Sequence, residues 1–217
     1  MATIKIKFKT TLTLNTNFNI SINFTSNNES YSLMKVQTRT FAEGTIKVLF
    51  YGSNAVCYNL NDWSDEKYKT IEIDTTQSNF NAFITAMKSN IEGVELEAGT
   101  YQWIGTPENP TTCNTNLNFT SNNENFTGIK VYEGAVYLLA YINNGTSIDV
   151  FNYDDWDWKQ GEAYRTITTT KNQYVPYNFY NYAILGNQLI KQQPTPTAIK
   201  LFYHNNKLVS FKGKLLH

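Results

Sequence analysis

The sequence predicts a mainly β protein with minor α content: two tandem, duplicated antiparallel β modules, each with a short helix, plus a C-terminal β-hairpin. Three observations carry this. A polar heptapeptide, Asn23 to Glu29 (NFTSNNE), recurs unchanged at Asn118 to Glu124. Around both copies, apolar and polar residues alternate with the period of two that marks half-buried strands. Further landmarks then follow in the same order in each half, as in internally repeated chains.

The first module is expected over 1–97. TIKIKFKT, near the N-terminus, alternates strictly, with Ile4, Ile6 and Phe8 on one face and Lys5, Lys7 and Lys9 on the other. Lysines on one face of a strand are a common guard of an exposed sheet edge. This strand, or the terminal hairpin, is therefore expected to contribute an intermolecular contact. NISINF places Ile20, Ile22 and Phe24 on one face, and TSNNE then supplies an exposed turn. FNAFITAMKSNI sets Phe80, Phe83, Ile84 and Met87 at helical spacing.

The second module is expected over 98–195. Trp103 aligns with Phe8, Phe119 with Phe24, Phe126 with Tyr31, Val131 with Val36, and Trp158 with Trp63. EAYRTITT (162–169) matches EKYKTIEI (66–73) after one inserted residue, which pairs Tyr164 with Tyr68. GIKVYEGAVYLLAYI predicts two strands about a turn at Glu133-Gly134, and TSIDVFNY another strand. YNFYNYAILGNQLI is the counterpart of the first helix, with Gly186 and its aromatics lowering helix propensity. In the linker, Pro107 and Pro110 interrupt regular structure. The last segment, 196–217, alternates about Asn205-Asn206, a hairpin signal.

Composition narrows the function. Eighteen basic residues balance eighteen acidic ones, and charged residues make up only 17%. Such a surface offers no basic patch for nucleic acid or an anionic membrane. No apolar run reaches membrane-span length, and the N-terminus lacks a signal-peptide core. Cys57 and Cys113 occupy unrelated positions of the repeat, and a disulfide between them is not expected. The two histidines, His204 and His217, cannot furnish a zinc site or support a catalytic triad. Asp154, Asp155, Asp157 and Glu162 fit the spacing of no calcium loop. They are expected to be solvated turn residues rather than glycosidase carboxylates. No enzymatic activity and no cofactor are expected.

Trp63, Trp103 and Trp158 belong to the repeat and are expected in its core, with Phe24, Phe119, Tyr68 and Tyr164. Trp156 has no counterpart in the first copy. With the dense cluster Tyr174, Tyr177, Tyr180 and Tyr182 it forms the candidate interface or ligand contact. For that cluster, covering a small β core is an equal alternative.

The module itself — a lead strand ending in Trp, a Thr/Pro linker, NFTSNN, a hairpin, W…ExY[RK]TI and a short aromatic helix — resembles the repeated β-rich modules of structural and accessory virion proteins from tailed phages and prophages of low-GC gut bacteria. The closing KLFYHNNKLVSF is similar to a hairpin at the ends of such proteins. The resemblance implies a non-enzymatic bacteriophage structural or accessory protein in the virion, on the capsid surface or at the head–tail junction. Its partners would be other virion proteins and copies of itself. A tail-tip or fibre-associated module binding a host glycan or receptor is the alternative.

Overall fold

The computed structural model describes residues 3–53, 56–105, 112–132, 137–152, 161–193, 202–204, 207–211 and 214–215. For 147–150 and beyond 201 it describes the backbone only. The chain is mainly β with a few short helices.

The first repeat contributes β1 (Thr3–Phe8), β2 (Phe18–Ser26), β3 (Glu29–Phe41), β4 (Gly44–Tyr51), β5 (Val56–Asn59), β6 (Thr70–Asp74), helix α1 (Phe80–Met87) and β7 (Ile91–Leu96). The second contributes β8 (Gly99–Trp103), β9 (Cys113–Ser121), β10 (Glu124–Tyr132), β11 (Leu138–Asn143), β12 (Thr146–Asn152), α2 (Gly161–Tyr164), β13 (Thr166–Thr169), β14 (Gln173–Val175), α3 (Tyr177–Tyr180), which runs on as a π-helical turn (Asn181–Leu185), and β15 (Leu189–Lys191). A separate small sheet contains β16 (Phe202–His204), β17 (Lys207–Phe211) and β18 (Lys214–Leu215).

The two large sheets have one topology. In the first the strands run β7-β1-β6-β2-β3-β4-β5, and in the second β15-β8-β13-β9-β10-β11-β12, with antiparallel pairing throughout the described residues. Equivalent strands thus occupy equivalent places. The exception is β14, a strand of the second repeat that pairs with β7 and extends the first sheet to eight strands. Buried residues of both repeats belong to one contiguous cluster.

The repeated heptapeptide explains itself residue by residue. β2 carries a bulge where Ile22 and Asn23 oppose Ser32 between the pairs Ser21–Leu33 and Phe24–Tyr31. β9 carries the same bulge, with Leu117 and Asn118 opposing Thr127. The bulged Asn23 turns its backbone to a side chain: its N–H donates to Gln77 Oε1 (2.7 Å), and Gln77 Nε2 donates to its carbonyl (2.8 Å). Asn118 makes the same pair of bonds with Gln173, at 2.8 and 2.7 Å. Each glutamine stands in for a strand neighbour that the sheet does not supply.

Phe24 and Phe119 are each 4% exposed. Phe24 stacks on Tyr31 and meets Tyr51 edge-on; Phe119 stacks on Phe126 and meets Tyr141 edge-on, with centroids 4.9 Å apart in both edge-on pairs. Ser26 and Ser121 are buried, and their hydroxyls donate to the carbonyls of Thr70 (2.8 Å) and Thr166 (2.7 Å). This corrects the expectation that all of TSNNE is exposed turn: the turn itself is only Asn27-Asn28 and Asn122-Asn123. All four asparagines have positive φ, between 46° and 64°, as a two-residue turn of the type favoured between twisted antiparallel strands requires. The closing glutamates accept from tyrosines, Glu29 from Tyr31 and Tyr68 and Glu124 from Tyr164.

The expectation that the N-terminal strand is an exposed sheet edge is also corrected. β1 lies between β6 and β7, hydrogen-bonded on both sides, and is not a sheet edge. Its lysines project from the sheet face, where Lys5 meets Glu72 and Glu95 and Lys7 meets Glu92. They complement neighbouring strands rather than guard an edge.

α1 buries Phe80, Phe83, Ile84 and Met87, the four residues spaced for it. The helix of the second repeat is only one α turn before its register widens at Asn181.

Candidate functional site: the seam between the repeats and its open counterpart

The repeats are joined where β14 is added to β7. Gln173, Tyr174 and Val175 pair with Leu96, Glu95 and Val94. The junction needs a residue without a side chain: a Cβ on Gly93 would lie 2.9 Å from Tyr174 Cβ and 3.3 Å from the Val175 carbonyl oxygen. Tyr174 therefore seats directly over bare backbone. Asn172 accepts from the Ala98 N–H (2.8 Å) and fastens the start of the added strand to the chain between β7 and β8. Val175 and Val94 are fully buried, and Pro176 then turns the chain into α3, which packs on β7 and β9.

A polar cleft flanks the seam, lined by Lys5, Glu72, Glu95, Tyr101, Tyr180 and Lys191 among others. Its charged groups are all paired, three carboxylates with two ammonium groups: Lys5 lies 3.7 Å from both Glu72 and Glu95, and Lys191 lies 2.5 Å from Glu97. Tyr101 donates to the Glu97 carbonyl (2.8 Å). Burial, and then the charge of Glu97, push the Tyr101 and Tyr180 hydroxyls above the usual tyrosine range, so both remain neutral donors. The cleft is an arrangement of satisfied ion pairs rather than of activated groups.

The anticipated interface tyrosines divide. Tyr174 is 41% exposed, on the outside of β14. Tyr177 is half-buried, its hydroxyl pushed upward by burial. Tyr180 and Tyr182 are buried at 8% and 6% and belong to the core cluster. The reason is the docking of the second-repeat helix over the seam, which turns these rings inward. Trp156 and Trp158 lie outside the described residues, as do Asp154, Asp155, Asp157 and His217.

Of the anticipated core, Phe24, Phe119, Trp63 and Tyr164 are buried, and Tyr68 is half-buried against them. Trp63 stacks on Tyr58 with centroids 4.9 Å apart, and its indole N–H is buried without a hydrogen-bond partner. Glu162 sits on α2 and meets Arg165 at 3.5 Å. Among the described residues, no three His, Cys, Asp or Glu side chains could hold a metal ion, and no helix is long and apolar enough to cross a membrane. Cys57 and Cys113 are free, one exposed and one buried.

Apart from Tyr174, the seam's own residues are not among those the sequence singled out. Gln77 and Gln173 recur at the spacing of the EKYKTI and EAYRTI landmarks, a signal that would have exposed the clamp. Tyr174-Val175-Pro176 stands where the first copy has only Ser78-Asn79, and that extra length marks the added strand.

The other end of the same relationship has no added strand among the described residues. β15 is the second repeat's equivalent of β7, yet among the described residues it is the last strand of its sheet. Ile190 on this edge and Ile104 beside it are 43% and 41% exposed. The chain matches no family model, no curated protein and no solved structure.

Proposed function

We propose that this chain is a non-enzymatic structural or accessory component of a bacteriophage virion, on the capsid surface or at the head–tail junction, acting through protein–protein contacts. The observation that carries the assembly part of this reading is the addition of β14 to β7: one repeat completes the sheet of the other by backbone pairing. Strand addition of this kind ties proteins together through main-chain hydrogen bonds, with side chains setting register. The near-neutral, amide-rich surface and paired charges beside the seam suit a protein that packs among neighbours. The virion itself enters through the resemblance of the NFTSNN module, an analogy at the level of the module.

The test is quantitative mass spectrometry of purified particles from a phage or prophage encoding this chain. A fixed copy number per particle, retained through density-gradient purification, is the expected result. A chain abundant in infected cells but absent from particles would overturn the proposal.

The glycan- or receptor-binding alternative rests on Trp156, outside the described residues. A groove on the first sheet, lined by Asn23, Thr25, Ser30, Ser32, Glu72 and Asp74, has the hydroxyl, amide and carboxylate groups that sugars use. Its aromatic members, Phe24 and Tyr31, are only 4% and 8% exposed and offer no stacking platform. Specific binding on a glycan array, with the chain incorporated at the tail tip or a fibre of the particle, would favour that alternative.

A further inference from the structure

We propose that the open edge of β15 is a homotypic interface, where β15 of one chain pairs antiparallel with β15 of a second copy about a two-fold axis at Ile190. The pairing deepens the assembly reading above by naming a surface. It is tested on the isolated protein, so its failure is separable from failure of the virion assignment.

The backbone sets the register. Ile104 donates its N–H to the Gln188 carbonyl (3.0 Å), and Gln192 donates to the Thr100 carbonyl (2.7 Å). In an antiparallel ladder, alternate residues face the partner, so Gln188, Ile190 and Gln192 face β8. Leu189 and Lys191 therefore direct their N–H and C=O groups to the open side. With a two-fold axis at Ile190, Leu189 of each chain faces Lys191 of the other. Two hydrogen-bonded pairs then flank a non-hydrogen-bonded Ile190–Ile190 pair, whose Cα atoms would lie about 4.5 Å apart.

Three features point to a second copy as the occupant. First, the equivalent edge, β7, is covered by a strand of the other repeat, so repeat-on-repeat pairing is already used at this place in the fold. β14 is committed to β7, and another chain is the source of a further repeat. Second, a strand paired antiparallel with itself is self-complementary, as an isologous two-fold contact requires. Third, apart from its shortness, β15 lacks the usual deterrents. Its pairing with β8 has no bulge, it contains no proline, and its one charge, Lys191, is held by Glu97. The side chain at the centre is instead the exposed Ile190, with exposed Ile104 next to the same edge. In the first repeat, the residue that pairs at this place in the sheet is Gly93, under Tyr174.

The strand is short, so the isolated pair is expected to be weak and to gain from the high local concentration of an assembly. Sedimentation of the intact protein from micromolar to millimolar concentration should show a reversible monomer–dimer equilibrium. Lys191→Pro removes an outward N–H while leaving the β8 ladder its own bonds. It and Ile190→Lys should each raise the dimer dissociation constant at least about tenfold, equivalent to about 1.4 kcal/mol. Phe41→Ser, at a 54% exposed site on β3, should leave it unchanged. In a Cys57→Ser background, Ile190→Cys should form an intermolecular disulfide on mild oxidation, since the expected separation suits one. Phe41→Cys in the same background should not. A chain that stays monomeric throughout overturns the proposal. So does a dimer that survives both edge variants with unchanged melting temperature, or an Ile190→Cys variant that cross-links no faster than the Phe41→Cys variant.

Discussion

Replacing Gln77 by alanine, and separately Gln173, tests whether the duplicated bulge is held as the geometry says. Each glutamine gives the bulged asparagine one acceptor and one donor, at 2.7 and 2.8 Å in both copies. A net protein hydrogen bond contributes about 0.5–1.5 kcal/mol, so loss of two predicts about 1–3 kcal/mol, and these partly solvated sites belong to the lower half of that range. Gln77 Nε2 also donates to the Asp74 carbonyl (3.1 Å), which places Gln77→Ala slightly above Gln173→Ala. Gln77→Glu is the sharper probe. A carboxylate still accepts from the Asn23 N–H, but at neutral pH it opposes the carbonyls of Asn23 and Asp74 with no donor. It should cost at least as much as alanine at pH 7 and recover as pH falls below about 4, where the new carboxyl protonates. Urea unfolding reads the cost from the midpoint, with an unchanged slope. The clamp argument fails if both alanine variants fall within about 0.3 kcal/mol of wild type, because a made hydrogen bond to the bulge must show.

Further outcomes follow from the same geometry. Asn28→Gly and Asn123→Gly should be neutral or slightly stabilising, because φ of 61° and 64° suits glycine, whereas alanine there should cost about 1–2 kcal/mol in thermal unfolding. Gly93→Val should unseat β14, since even its Cβ would meet Tyr174; faster hydrogen exchange at residues 173–175 with slow exchange kept at β2 and β3 would register the change. Burial pushes the Cys113 thiol up to about 12, so a thiol reagent at pH 8 should titrate one cysteine, Cys57, in the native protein and both in urea. Tyr51 is wholly buried, and desolvation, then Tyr58 and Tyr31, raise its pKa well above the usual value. Its contribution to stability is complete below the unfolded-chain pKa of about 10 and is lost as pH rises from there through the folded value, at up to about 1.4 kcal/mol per pH unit. Alkaline urea titrations should show that decline, and Tyr51→Phe should make it shallower, the remainder coming from the other tyrosines that burial raises.

The candidate site was only partly legible in the chain. Tyr174 stood out as a surface ring, but its cluster-mates Tyr180 and Tyr182 are core. Periodicity cannot separate these cases, because a short aromatic helix has rings on every side and its docking partner decides which face water. The lysines of β1 misled for a related reason. A strand with one charged face looks the same at a sheet edge as in a sheet interior bordered by glutamates. Gln77 and Gln173 are silent in the local pattern because a single polar residue, in a turn or at the first position of a short strand, adds nothing to periodicity; its meaning comes from a bulge about fifty-five residues away.

By itself the sequence determined what is local: the duplication, the alternation that builds strands such as β1 and β2, the helix at Phe80–Met87, the aromatic centres at Phe24 and Phe119, and the asparagine pairs of the turns. Each of these follows from the steric and solvation preferences of a few neighbouring residues, and those act wherever the chain goes. Tertiary structure alone decided that β1 is enclosed, that β14 leaves its own repeat to pair with β7, that Gly93 makes room for it, and that β15 stays at an edge. Backbone hydrogen bonding is the same for every residue but proline, so a strand's neighbour is not encoded in the strand. It is selected by which edge remains unpaired, and which side chains fit across it, once the rest of the sheet has formed.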